Sequence, residues 1–127
     1  MPPLLSPTDA SAVQETLLGE ALEHAPIGAI VLDENGHYLA VNRAACRLAG
    51  CTREELLELS PSDFAAEPES VPAKLEEMAR GQLTNGTTRI RRRDGSLISI
   101  EYRVGATRSG GLPYFVVVFW ERDPDEE

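Results

Sequence analysis

A chain of 127 residues is long enough to bury one hydrophobic core and too short for two. With 42% hydrophobic and 26% charged residues it has the composition of an ordinary globular domain, and a net charge of −9 argues against nucleic acid as a partner. The acidity is uneven: residues 1–80 carry 5 basic and 14 acidic side chains, 81–108 carry 6 and 2, and 109–127 carry 1 and 5. Met1–Leu5 reads as a loose tail. Ser6-Pro7-Thr8-Asp9 then offers a capping box with proline at the first helical position, and a helix is predicted to about Ala25, ended by Pro26. Val13, Leu17, Ala21 and Ala25 recur every four residues beside Leu18 and Leu22, opposite Gln14, Glu15, Glu20 and Glu23. A lone helix of this length is marginal in water, so the apolar stripe must pack on something.

Ile27–Asp33 is a short apolar, β-branched run, Glu34-Asn35-Gly36 supplies a turn, and Tyr38–Val41 is a second strand. Asn42 caps a helix, its side-chain oxygen accepting from the amide of Ala44 or Ala45, and Gly50 takes the left-handed position that ends it. Thr52-Arg53-Glu54-Glu55 is a second capping box, starting a short helix through Leu56 and Leu57. Ser60-Pro61-Ser62-Asp63 breaks the chain and Phe64 anchors it in the core. A longer helix is predicted from about Glu69 to Arg80, with Val71, Leu75, Met78 and Ala79 on one face and Gly81 as its stop. Three strands finish the chain. Thr87–Arg93 leads through Asp94-Gly95 into Leu97–Thr107, and Ser109-Gly110-Gly111 turns it into Tyr114–Glu121. The acidic end from Asp123 is expected to fray.

This succession resembles a PAS domain over roughly Ala21 to Glu121. The resemblance rests on the strand ending in Asp33, the tight Asn35-Gly36 turn, and Asn42 followed by small residues. It rests also on Gly50-Cys51-Thr52-Arg53-Glu54-Glu55-Leu56-Leu57, similar to the Gly-x-[Ser/Thr]-x-Glu-Glu-Leu-Leu segment of that family. Arg92-Arg93-Asp94-Gly95-Ser96 is similar to its basic-Asp-Gly hairpin. The resemblance implies an α+β fold: a five-stranded antiparallel sheet with helices on one face and an N-terminal capping helix. The chain would divide into a tail and amphipathic capping helix over residues 1–25, the PAS domain over 26–122 and an acidic tail over 123–127. One departure is that Glu121-Arg122-Asp123 stands where Asp-Ile-Thr often closes the domain. With no kinase, cyclase or DNA-binding segment following, the chain reads either as a stand-alone sensor or as a piece of a longer protein.

Function in such a domain lives in the pocket between the sheet and the helices. In the fourth strand Ile98, Ile100, Tyr102 and Val104 alternate with Ser99, Glu101 and Arg103, so the apolar set points inward. The resemblance puts Ile90, Ile30, Leu32, Phe115, Val117 and Phe119 on that side, with Leu48, Phe64, Val71, Leu75 and Met78 facing them from the helices. The expected lining is almost wholly apolar, and the cofactor, if any, is unknown. Flavin-binding members carry a reactive cysteine in the segment corresponding to Leu59–Phe64, where this chain has Pro61, and polar amides at the positions of Ile90 and Ile100. A covalent flavin is therefore disfavoured. Haem-binding members use a histidine on the helical side, whereas neither His24 nor His37 lies between Gly50 and Gly81, so His-ligated haem is disfavoured as well.

Other chemistry is thin. His24 and His37 read as solvated or locally hydrogen-bonded imidazoles. Cys46 and Cys51 are too few for a disulfide framework and lack companions for zinc. Cys46 reads as core, and Cys51, near a helix N-terminus, either as a plain loop cysteine or as a redox-sensing thiol of lowered pKa. Arg89, Arg91 and Arg93 share a strand face that is either solvated or docks an acidic partner, with Arg92 beside them. No nucleophile with a base is readable, so an enzyme is not expected. No apolar run approaches the ~18 residues of a membrane span and no signal peptide is present, so a cytoplasmic protein without membrane association is expected.

Two readings stay open. One is a sensory, signal-transducing module of the two-component kind that binds a small apolar ligand and signals through the sheet and N-terminal helix. The other is a ligand-free dimerisation or protein-interaction module. In both, the last strand is apolar on each face, so Tyr114, Val116, Val118 and Trp120 point outward if Phe115, Val117 and Phe119 point in. The stripe of Val13, Leu17, Leu18, Ala21 and Leu22 is expected to cover them, either within one chain or across a homodimer, the dimer being preferred. An effector domain or protein partner would receive the signal.

Overall fold

The computed structural model describes residues 7–123. Strands β1 (Gly28–Asp33) and β2 (Tyr38–Val41) pair antiparallel around a turn that Asp33 organises. Its Oδ1 accepts from the amides of Asn35 and His37 at 2.9 and 2.8 Å, and its Oδ2 lies 2.9 Å from Nδ1 of His37. Burial alone would raise the Asp33 pKa; the hydrogen bonds from His37 and Asn35 outweigh it and hold the carboxyl below its ordinary value. His37 is thus the locally hydrogen-bonded imidazole expected of it.

Asn42 does more than cap. It is buried, and its Oδ1 accepts from the amides of Ala45 at 3.0 Å and Ala29 at 2.9 Å. Its Nδ2 donates to the carbonyls of Leu22 and, at 3.0 Å, Ile27. One side chain therefore joins α1 (Pro7–Glu23), β1 and α2 (Arg43–Ala49). Gly50, at φ 74°, closes α2 with its amide 2.8 Å from the Cys46 carbonyl. The capping box of α3 (Arg53–Leu57) forms in both directions: the Thr52 amide donates to the Glu55 carboxylate and the Glu55 amide to the Thr52 hydroxyl oxygen, both at 3.2 Å. At Ser60–Asp63 the expected break is instead a helical turn, α4 (Pro61–Phe64), because the Asp63 carboxylate accepts from the Ser60 amide at 2.8 Å.

A 3₁₀ turn, Pro68–Ser70, precedes α5 (Val71–Ala79), which starts later than the predicted Glu69. Pro72 suits the first turn of a helix and sets its start there. Strand β3 (Asn85–Arg91) begins before the predicted Thr87. Gly86 lies in the sheet opposite Tyr102, and a Cβ on it would sit 2.6 Å from the Tyr102 hydroxyl oxygen. The missing side chain makes room for that ring. β3 also ends at Arg91, not Arg93. Arg92 donates from its guanidinium to the carbonyls of Leu48 and Arg47, both at 3.1 Å, and the Arg93 amide donates to Ala49 at 3.0 Å. Arg93 pairs with Glu55 at 3.4 Å. The three-arginine strand face therefore reduces to Arg89 and Arg91, while Arg92 and Arg93 clamp the end of α2.

β4 (Leu97–Ser109) and β5 (Leu112–Glu121) form the long final hairpin, and the sheet runs β2-β1-β5-β4-β3, antiparallel throughout. Its inner face gives Leu32, Ile100, Tyr102, Phe115, Val117 and Phe119 to one core with Ala45, Ala49, Leu56 and Phe64 from the helices. The alternation of β5 is clear, Phe115 being 2% and Val116 36% exposed. Helix α1 stands apart. It ends at Glu23 where Ala25 was predicted, and every side chain from Ser11 to Glu20 is exposed, so the stripe does not lie on the chain's own sheet. Only its C-terminal end is held among the described residues, through Asn42 and through Glu23, which pairs with Arg53 and, at 4.0 Å, with Arg43. The Met1–Leu5 tail, the capping box at Ser6 and the acidic end from Pro124 lie outside the described residues.

Candidate functional site

Between the sheet's inner face and helices α2 to α5 lies a cavity of about 140 Å³. Eleven of the expected lining residues meet on its wall: Ile30, Leu32, Phe64, Val71, Leu75, Met78, Ile90, Ile100, Tyr102, Val117 and Phe119. The other three do not. Phe115 is packed solid in the core, and Leu48 and Ile98 face a separate shallow groove with Pro26, Arg92 and Trp120. The reason for Leu48 is helical geometry: Ala45 and Ala49, four residues apart, are the side chains that α2 turns toward the cavity, which leaves Leu48 on its flank. Ile98 shares the inward face of β4 with Ile100 but sits nearer the sheet end, beyond the cavity's rim.

Sequence reasoning missed Tyr38, Ala45, Ala49, Leu56, Pro61, Ala65, Lys74 and Thr88, all on the wall. Two signals were available. Thr88 lies two residues from Ile90 and so on the same strand face, and Lys74 stands at the i+3 position from Val71, inside the stripe completed by Leu75 and Met78. Lys74 Nζ donates to Thr88 Oγ1 at 3.4 Å. Tyr38 meets Phe64 with ring centroids 6.4 Å apart and tilted by 57°. Burial first, then the Asp63 carboxylate, pushes the Tyr38 phenol far above its ordinary range; burial and then Glu77 push Tyr102 up.

The outward set of β5 is arranged differently. Val116 is exposed and Tyr114, Val118 and Trp120 are half-buried, with the Arg103 guanidinium 5.7 Å from the Trp120 ring centre. On α1, Val13, Leu17, Leu18, Ala21 and Leu22 are exposed, so the structure does not bring the two groups of the expected interface together within one chain. Cys46 is half-buried at the edge of the core, not inside it. The lowered Cys51 thiol is overturned: burial, and then the neighbouring Glu55 carboxylate, pushes it up, which disfavours the thiolate a redox sensor needs. No metal-competent group of histidine, cysteine or carboxylate side chains exists among the described residues, and none of their helices is long and apolar enough to cross a membrane.

The family model described as the PAS fold matches residues 16–122. Solved structures similar to this chain include a domain of a sensory box sensor histidine kinase/response regulator from Geobacter sulfurreducens, 26% identical with a TM-score of 0.78, covering 91% of this chain and 99% of that one. A PAS domain from a two-component sensor histidine kinase is 21% identical with a TM-score of 0.78, over 88% of this chain and 99% of that one. A light-oxygen-voltage domain studied with a flavin analogue is 19% identical with a TM-score of 0.71, over 89% and 90%. No curated protein matches the chain. The family match spans most of the sequence and agrees with the observed order of strands and helices, so the chain belongs to the PAS family.

Proposed function

We propose that this chain is a sensory, signal-transducing PAS module, not an enzyme, whose cavity accepts a small apolar molecule and whose response leaves through the sheet and α1. The observation that carries this reading is the cavity itself. An apolar void near 140 Å³ is close to the ~150 Å³ of an engineered cavity that stays dry and binds benzene. Pockets for drug-sized ligands run from roughly 300 to 1,000 Å³, so a flavin or haem would need the helices to move apart. The wall also lacks groups to hold either, with Ile90 and Ile100 on the sheet side and Pro61 and Phe64 on the helical side. The same reading places the module in the cytoplasm, upstream of an effector domain or protein partner.

The experiment is native mass spectrometry of the purified protein together with a titration by toluene, followed by NMR. A retained mass, or shifts at Ile30, Ile100 and Val117 on adding toluene, supports the sensor. Absence of both at millimolar toluene overturns it. A second reading, the ligand-free homodimerisation module, draws its support from the exposed stripe of α1 and the outward apolar set of β5, surfaces that water otherwise meets.

A further inference from the structure

Lys74 is the only lysine in the chain, and it lies on the apolar face of α5 that lines the cavity. Thr88 faces it from β3, opposite Ile100 in the sheet, and accepts from its Nζ at 3.4 Å. Both side chains are half-exposed while most of the wall beside them is apolar, so this polar pair stands where the cavity meets solvent. An ammonium has three donors, and one long bond to a neutral hydroxyl uses one of them. Among the described residues no carboxylate lies within ion-pair distance of Nζ. Yet the chain holds 21 acidic residues, and Glu77 stands one helical turn further along α5. Snorkelling of a lysine stem along apolar surface explains a cation at a rim. It does not explain an inward-facing threonine hydroxyl set beside that cation in a mostly apolar wall.

Building on the reading that the cavity takes a small apolar molecule, we propose that this molecule is an amphipathic carboxylate, its apolar body of about benzene size inside and its carboxylate held at the mouth by Lys74 and Thr88. One carboxylate oxygen accepts from the ammonium. The Thr88 hydroxyl, whose oxygen already accepts from Lys74, donates its own proton to the other. A neutral ligand of equal size would leave the ammonium without a charged partner, so the pair selects for anions.

The test compares benzoate, benzamide and toluene on the full chain and on Lys74→Met and Lys74→Arg, read by NMR. The Lys74 side-chain signals are unambiguous because no other lysine exists. Benzoate is expected to bind about tenfold or more tightly than benzamide, the size of one charge-assisted hydrogen bond, and to move the Lys74 signals. Lys74→Met removes that preference, whereas Lys74→Arg retains a preference for the anion. Toluene binding with equal affinities for benzoate and benzamide, or a preference that survives in Lys74→Met, overturns the proposal and leaves the apolar sensor standing. If toluene fails as well and native mass spectrometry finds no retained mass, both readings fall.

Discussion

Helices α1 and α5 carry the same kind of apolar stripe and meet opposite fates. In α5 Val71 is buried, and Leu75 and Met78 close over the sheet. In α1 Val13, Leu17 and Leu18 are 44%, 59% and 64% exposed. The difference lies in the chain on either side. α5 is entered through the Pro68–Ser70 turn and left through Gly81 at φ 70°, so both ends return it to the sheet. Among the described residues α1 is anchored only where it joins β1, by Asn42 and Glu23. Helical periodicity states which face needs cover; the connections decide whether the same chain supplies it.

The strongest blow to the anchored side is Ile100→Asn. Ile100 is buried on the cavity wall, so an amide there loses apolar burial and gains no partner. A loss of roughly 3 kcal/mol is expected from urea denaturation. Tolerance like that of a surface site would mean that the cavity is wet and the contrast with α1 weak. Asn42→Ala is the next largest. A helix cap alone is worth about 1 kcal/mol, but this side chain also bridges Ala29, Ile27 and Leu22, so about 2 kcal/mol is expected. The same change should speed hydrogen exchange at the end of α1. A midpoint that does not move would show that those bridges carry no stability.

A smaller effect separates the two regions by pH. Tyr38 and Tyr102 have phenols raised above the ordinary value near 10, both through burial at the cavity. Above about pH 10 the unfolded chain releases protons that the fold still holds, so stability is full below that pH and falls as pH rises toward the folded values. Tyr38→Phe should flatten this alkaline decline, since Tyr38 is the more strongly shifted. A decline that is unchanged in Tyr38→Phe would place its cause outside the cavity.

Strand alternation made one strand of the cavity's sheet side readable from the sequence: Ile100 and Tyr102 are inward because Ser99, Glu101 and Arg103 between and beside them are polar. Ile30, Ile90 and Val117 lacked so clear a pattern and were placed through the resemblance to the family. The helical side was less legible. The resemblance put Leu48 on the wall, but one helical position turned it to the flank, while Lys74 was left off the predicted face although its spacing matched Val71 and Met78. Gly86 fell outside the predicted strand, and its function, yielding space to Tyr102, is visible only across the sheet. Asn42 showed its cap and hid its other bonds, which reach residues 13 to 20 positions away. What depends on local spacing was legible, and what depends on a distant partner was not.

The smallest expected effect on folding falls on the unanchored helix and decides what covers it. Leu17→Gln with Leu18→Gln alters side chains that touch little within the chain, so the unfolding of one protomer's sheet domain should change by no more than about 0.5 kcal/mol. A solitary helix of 17 residues is nevertheless marginal in water. If α1 is to persist, its stripe needs a surface, and the outward set around Val116 and Trp120 on a second copy offers one that a two-fold axis would bury twice. Sedimentation equilibrium should then find the intact chain dimeric at micromolar concentration and the double variant monomeric, with α1 losing helicity in the variant. A monomeric intact chain sinks the dimer, and a double variant that still dimerises moves the interface away from α1.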